Sequence, residues 1–217
     1  MGRGRRIIAI LVITMAAVSS SVTAQSKYPE TITVMQAVYH GELLAHARYL
    51  AIAAKALEEK YPHIGYLATA LATSEGVHAR NFRAVPTSLS QAVDDQKPAV
   101  TVSDTKANLK LAANAELDEI DTRYPQYLKR IQPEGNQEAI DDLTHAWEAE
   151  KQHRDLVTQL LSGTGIMFGV LVRTIEGKAV TYLICQQCGS TLDELPKDKC
   201  PICGGPVSNY KKIEPPG

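Results

Sequence analysis

Glu75-Gly76-Val77-His78 and Glu150-Lys151-Gln152-His153 are two short stretches built to one plan. Each sets a carboxylate and an imidazole three residues apart, so on a helix both side chains leave the same face about one turn apart. A further glutamate stands upstream of each, Glu42 before the first and Glu116 before the second, and the two intervals agree to within one residue. Four helices that carry these residues to one centre supply four carboxylates and two imidazoles. That donor set suits a pair of iron or manganese ions held inside a helix bundle.

A lone Glu-x-x-His arises often by chance, and a lone glutamate on a helix is ordinarily solvated. The doubled pattern is harder to reach by accident. Glu42 is flanked by Val38, Leu43, Ala45 and Tyr49, and Glu116 by Leu109, Ala112, Ala113 and Ile120. Carboxylates on such faces are costly to bury unless a cation compensates them.

The helices follow from the apolar spacing. Met35, Val38, Leu43, Leu50 and Leu57 mark a first helix from about Thr31 to Lys60, stopped by Pro62. A second runs from about His63 to Ala84 and is expected to end before Pro86. The polar stretch from Pro86 to Thr101 is too long for a tight turn and predicts a crossover. A third helix starts at a cap on Ser103 or Asp104 and reaches about Tyr124, before Pro125, with a further helical turn over Gln126–Ile131. A fourth follows Pro133-Glu134-Gly135 and extends to Leu161, and Ser162-Gly163-Thr164-Gly165 reads as its cap and a hinge.

The chain has 217 residues, 44% hydrophobic and 6% aromatic, with a formal net charge of −1. It is long enough for one medium domain and one small one. No basic stripe marks a nucleic-acid surface. Arg3, Arg5 and Arg6 precede an apolar run from Ile7 to Val18, then Val22-Thr23-Ala24. This is the pattern of a secretory signal cleaved near Ala24, which predicts export to the periplasm with no membrane span left after cleavage. The apolar run falls short of the ~20 residues of a spanning helix. Sec and twin-arginine routes both fit. The expected organisation is a leader over 1–24, the bundle over 27–162, a connecting segment over 163–179 and a small module over 180–213.

That module carries all four cysteines. A short strand over Val180–Ile184 leads into Cys185-Gln186-Gln187-Cys188-Gly189, and Cys200-Pro201-Ile202-Cys203-Gly204 repeats the knuckle. Two such turns close a tetrahedral site of four thiolates, for one iron or for zinc. In an oxidising compartment the same cysteines could instead form disulfides, but each vicinal pair would close a very short loop and make a poor staple.

The run Gly41-Glu42 through Arg48-Tyr49, the two Glu-x-x-His pairs, Glu116-x-x-Glu119 with Tyr124-Pro125, and the two knuckles resemble rubrerythrin over almost the whole mature chain. The resemblance implies an all-α, ferritin-like four-helix bundle with a carboxylate-bridged diiron centre, followed by a rubredoxin-like module. It implies that Glu42, Glu75, His78, Glu116, Glu150 and His153 hold the two irons, and that Cys185, Cys188, Cys200 and Cys203 hold the third. It also implies that Glu119, matched on helix 1 by Ala45, alternates with His78 as a ligand, and that Tyr49 and Tyr124 hydrogen-bond ligand carboxylates. Of the two, Tyr49 lies nearer the face of its own glutamate. One departure is Gly189-Ser190, where rubredoxin modules often carry an aromatic residue; Tyr182 and Tyr210 are candidates to replace its ring. His46, four residues after Glu42, is read as a bundle-edge histidine, and His40, His63 and His145 as ordinary residues.

The expected function is therefore a peroxidase that reduces hydrogen peroxide, fed by an electron donor protein through the thiolate iron. The resemblance further implies a homodimer, with each cysteine module near the partner's diiron site. Two rivals stand beside it: a ferroxidase or iron-handling protein, and a non-enzymatic metalloprotein with a zinc ribbon for docking.

Overall fold

The computed structural model describes residues 27–161 and 180–216, without the side chains of 159–161. The expected leader, the Ser162–Gly165 hinge and the connecting segment over 163–179 lie outside the described residues. Four rods form the bundle: α1 (Pro29–Glu58), α2 (Pro62–Ser88), α3 (Thr105–Asp118) with its continuation α4 (Tyr124–Ile131), and α5 (Gln137–Leu161). The module is a small antiparallel sheet of β1 (Leu183–Cys185), β2 (Thr191–Leu192) and β3 (Tyr210–Lys212), with β1 in the middle. This is a ferritin-like bundle followed by a rubredoxin-like module. No helix among the described residues is long and apolar enough to cross a membrane.

The long connection does cross over. Its start lies along α1, where Gln36 Nε2 donates to the Ala92 carbonyl at 2.9 Å and Tyr39 Oη donates to Asp95 at 2.7 Å. Arg83 grips the same Asp95 with two bonds of 2.8 Å. Its far end reaches the opposite end of α1, where Thr105 N–H donates to Glu59 at 3.0 Å. Asp104 then caps α3 by accepting from Ala107 N–H at 2.8 Å, which satisfies one of the orphan donors of the first turn.

Two helix ends differ from expectation, and both involve proline. The second helix does not stop before Pro86 but continues to Ser88. In a final turn a proline forfeits only one intrahelical bond, and Val85 and Pro86 are both buried there, which holds the turn in place. The third rod does not end at Pro125 either. It passes through a π-helical turn, Glu119–Arg123, and resumes as α4.

In that turn Tyr124 N–H bonds to the Glu119 carbonyl, five residues back, and Pro125 has no N–H to offer. The Ile120 carbonyl turns sideways and accepts from Trp147 Nε1 on α5 at 2.9 Å. A π turn inserts one residue into an α-helix and commonly marks a working site. Replacing Trp147 with phenylalanine strands that carbonyl and should lower stability by about 1–2 kcal/mol. Calorimetry would show it as a Tm lower by roughly 2–8 °C.

Candidate metal centre

Six of the predicted side chains meet. Ligand atoms of Glu42, Glu75, His78 and Glu150 lie within 4.8 Å of one another, and so do those of Glu75, Glu116, Glu150 and His153. All six residues are buried, none exposed by more than 4%. The groups share Glu75 and Glu150, and the distances show why. His78 Nδ1 is 3.0 Å from Glu75 Oε2 and 3.0 Å from Glu150 Oε1. His153 Nδ1 is 3.2 Å from Glu75 Oε1 and 2.9 Å from Glu150 Oε2. Each of these carboxylates turns one oxygen toward each imidazole, which is the posture of a bridge between two centres.

Glu42 and Glu116 stand at the two ends, each fixed by a tyrosine from the opposite rod. Tyr124 Oη donates to Glu42 Oε1 at 2.6 Å, and Tyr49 Oη donates to Glu116 Oε1 at 2.5 Å. Tyr49 follows Glu42 by seven residues, two full turns, whereas Tyr124 follows Glu116 by eight. The extra residue of the π turn absorbs that difference and brings Tyr124 into the position equivalent to Tyr49.

The donor set fits two cations. Glu42 Oε2, Glu75 Oε1, Glu116 Oε2 and Glu150 Oε1 are buried oxygens that no well-directed hydrogen bond satisfies, although an imidazole nitrogen lies 3.2 Å from Glu75 Oε1 and 3.0 Å from Glu150 Oε1. Leaving such oxygens dry and unpaired is costly, and two divalent ions would balance four carboxylates in charge. The imidazoles are prepared for the same task from behind. His78 Nε2 is 3.2 Å from the Cys188 carbonyl and His153 Nε2 is 3.2 Å from Thr191 Oγ1. With the Nε2 proton spent there, each ring turns Nδ1 into the site, where it can bind a metal once its own proton leaves.

Protons stand in for metal in this chamber. Burial, reinforced by Glu150 and Glu75 against the pull of His78, pushes Glu42 up to about 7. Burial raises Glu116 and Glu119 well above the ordinary carboxylate range, with neighbouring carboxylates adding to the effect. Burial disfavours charge on His153, yet Glu75 and Glu150 outweigh it and lift the ring to about 10. His78 is likewise held well above its usual value by Glu150, Glu42 and Glu75 despite its burial. Burial would also raise Glu150, but His153 and His78 win and hold it well below the usual range.

The pH dependence follows. A raised histidine stabilises the fold fully below its ordinary value and loses that contribution as pH climbs through its folded value. A raised carboxylate costs stability once pH passes its ordinary value. Both shifts act in one direction, so metal-free protein should lose stability as pH rises from about 4.5, the ordinary value of Glu42, toward about 10, the folded value of His153. Bound metal displaces those protons and should remove most of the slope. Calorimetry of both forms at pH 5 and pH 9 reads this directly.

Glu119 sits beside the cluster at the start of the π turn. Its side chain is 17% exposed and lies 3.8 Å from Arg123 Nη1. The structure does not bring it into either convergent group. His46 is apart from both groups too, its Nδ1 2.6 Å from the Ala72 carbonyl, and His40 Nε2 contacts the Asp94 carbonyl.

The four cysteines form the second cluster. Sγ of Cys185 lies 3.8 Å from that of Cys203, and Sγ of Cys188 lies 3.6 Å from that of Cys200. A tetrahedral metal with bonds of ~2.3 Å sets its sulfurs roughly 3.8 Å apart, so these are the edges of a metal site, and all four thiols are free of disulfides. Gly189 and Gly204 adopt φ of 79° and 69°, which closes both knuckles. Of the two candidate rings, Tyr210 fills the place beside the thiolates, its Oη 3.1 Å from Cys200 Sγ and 3.0 Å from Ser190 Oγ. Tyr182 instead packs edge-on against Tyr66 of α2, with ring centroids 4.9 Å apart.

The seat of the module on the bundle has no counterpart in the sequence reading. Ser74 Oγ donates to the Gly189 carbonyl at 2.6 Å, and Thr191 N–H donates to Gln152 Oε1 at 2.9 Å. Asn81 Nδ2 donates to the Gln187 carbonyl at 2.7 Å, Arg80 to that of Gln186, and Tyr66 Oη to that of Ile213 at 2.5 Å. A methyl group on Gly189 would come within 2.3 Å of His78 Nε2. Within this chain the module's polar contacts are to α2 and α5 of the bundle. Tyr182 and Ile184 join Val157 of α5 in one apolar cluster.

Fold and site together define a class: a four-helix protein with a carboxylate- and histidine-lined diiron centre and a second metal held by four cysteines. The rubrerythrin family model matches residues 34–161. Rubrerythrin-2 of Clostridium acetobutylicum is 34% identical over 179 residues, covering 80% of this chain and 91% of its own. Nigerythrin of Nitratidesulfovibrio vulgaris is 28% identical over 183 residues, covering 83% and 85%. A solved structure of nigerythrin in a mixed-valence state superposes with a TM-score of 0.70 at 27% identity, over 90% of each chain. The chain belongs to the rubrerythrin family.

Proposed function

We propose that this protein is a non-haem diiron peroxidase that reduces hydrogen peroxide to water, with electrons relayed through a rubredoxin-type iron in the four-cysteine site. One observation carries the reading: the His78 ring presents Nδ1 to the buried carboxylates and Nε2 to the carbonyl of Cys188, so a single side chain spans both clusters. An iron-handling protein that turned over ferrous ion with dioxygen would need no such link.

In this reading Glu75 and Glu150, which face both histidines, together with Glu42, Glu116, His78 and His153, would hold the two irons. The two ferrous ions these residues would hold supply two electrons and Lewis acidity at neighbouring positions. The protein's own contribution is positional and protonic. Tyr49 and Tyr124 lock the terminal carboxylates, and burial beside those carboxylates keeps both phenols protonated. Glu119, beside the cluster, would be the carboxylate able to take the place of His78, as the family resemblance implies. With its proton held by burial, it also offers one at the side of the chamber nearest solvent. Peroxide takes up two electrons and two protons to give two waters, and Cys188 and His78 form the path by which electrons return one at a time.

The reading requires hydrogen peroxide, an electron donor protein and, by analogy with the family, a second copy of the chain. The N-terminal pattern of residues 3–24 supports export to the periplasm, where such an enzyme would guard the envelope. The test is to load iron without oxygen, assay metal, add hydrogen peroxide, and follow both peroxide and the thiolate-iron absorbance. About three irons per chain, oxidation of the thiolate centre and loss of peroxide are expected. Zinc at the thiolates, or peroxide that persists, would overturn the assignment.

A further inference from the structure

Gly41 poses a question the fold does not answer. It sits inside the 30-residue helix α1, where glycine is destabilising relative to alanine. It is not there for a positive φ, which among the described glycines belongs to Gly135, Gly189 and Gly204. Nor is it there for packing, since nothing lies within 4 Å of a Cβ built on it. Glycine therefore keeps a space open.

That space belongs to a recess lined by Gly41, Glu42, Glu119, Arg123, Tyr124 and Tyr127. The recess runs from the surface to a carboxylate of the diiron cluster. Arg123 stands at its rim with 51% of its side chain exposed, Glu119 in the wall with 17%, and Glu42 at its floor with 5%. The opposite side of the chamber is shut, because Cys188, Gly189 and Thr191 lie against the Nε2 edges of the two histidines.

The geometry points to this recess as the port through which small oxidants reach the diiron centre, with Gly41 setting its bore. The inference rests on the peroxidase reading for the identity of the oxidant, but not for the existence of the port. Gly41 of α1 and Glu119 and Arg123 of the π turn line the recess together with Glu42, so a large side chain at position 41 would narrow it. The π turn has a second role here, since it carries both Glu119 and Arg123 on the outer wall. The recess has about 20 Å³ of free volume, room for about one water-sized molecule, so it suits hydrogen peroxide and handicaps bulky organic hydroperoxides.

The probe is azide, a small anion that binds oxidised diiron centres and is followed by its charge-transfer absorbance in stopped flow, with no peroxide chemistry involved. Gly41→Leu in the iron-loaded full chain should slow azide binding about tenfold or more at unchanged metal content, the effect of a barrier raised by about 1.4 kcal/mol. Tyr127→Ala, which widens the opposite wall, should speed it. Gly41→Ala should raise Tm by about 2–4 °C while slowing azide, so that stability and access move in opposite senses. Azide binding to Gly41→Leu at the wild-type rate overturns the port; if that variant fails to load iron, an unchanged rate in Gly41→Ala overturns it equally. Slowed azide in a protein whose wild type leaves peroxide untouched would sink the peroxidase reading and keep the port.

Discussion

Glu150→Gln should lose the diiron centre while Glu119→Gln keeps it. Glu150 gives one oxygen to the side of His78 and the other to the side of His153, so a neutral amide removes a bridge and one of the four negative charges that balance two divalent ions. Substitutions merely adjoining a metal site cost about 10–100-fold in affinity, and removal of a bridging ligand should exceed the upper figure. The metal-free protein should suffer too. Both imidazoles are held charged by Glu150 among other carboxylates, and leaving a buried charge without its partner costs about 3–5 kcal/mol. Iron titration and calorimetry read the two effects separately. Glu119 stands outside both convergent groups, so its amide variant should load two irons normally. Normal loading by Glu150→Gln would mean that the carboxylates do not bridge.

Cys200→Ser should abolish reductant-driven peroxide consumption and leave the bundle able to bind metal. Its sulfur is 3.6 Å from that of Cys188 and receives the Tyr210 hydroxyl. The serine oxygen is a harder and shorter donor, poorly suited to a thiolate site. None of the six bundle side chains comes from the module, so iron uptake by the bundle and its oxidation by dioxygen should persist. Peroxide turnover that continued at the wild-type rate with the reductant would break the relay and favour an iron-handling role. The same variant therefore separates the two readings in one experiment.

The six converging side chains were legible in the sequence because helical spacing alone places a Glu-x-x-His pair on one face, and the pattern occurs twice. The knuckles were legible for the same reason, since four cysteines in two matched turns have few geometric options. Tyr124 was harder. Its register with Glu116 depends on a residue inserted by the π turn, and periodicity reasoning assumes an unbroken α-helix. The proline at 125 misled in the same way: it marked the deformed turn rather than the end of the rod. Pro86 was misread because tertiary burial of Val85 and Pro86 outweighs a single lost bond.

The seat of the module left no local signal at all. Ser74, Asn81 and Gln152 bind backbone atoms far along the chain, and only folding reveals which carbonyl or N–H they meet. Gly189 was read as a residue that shapes a thiolate knuckle. Its second duty, to let that knuckle come down on His78, belongs to the partner surface and not to the motif.

That close approach couples the two metal sites during assembly. The loop from Cys188 to Thr191 is at once a clamp on one metal and the lid over the ligands of the other pair, so the sites have a common wall. Whatever empties the cysteine cage, whether a chelator or oxidation of its sulfurs, slackens that wall and wets the imidazoles behind it. Iron in the bundle should then exchange with solution fastest in chains whose cage is vacant, and a fully furnished cage keeps the whole inventory in place.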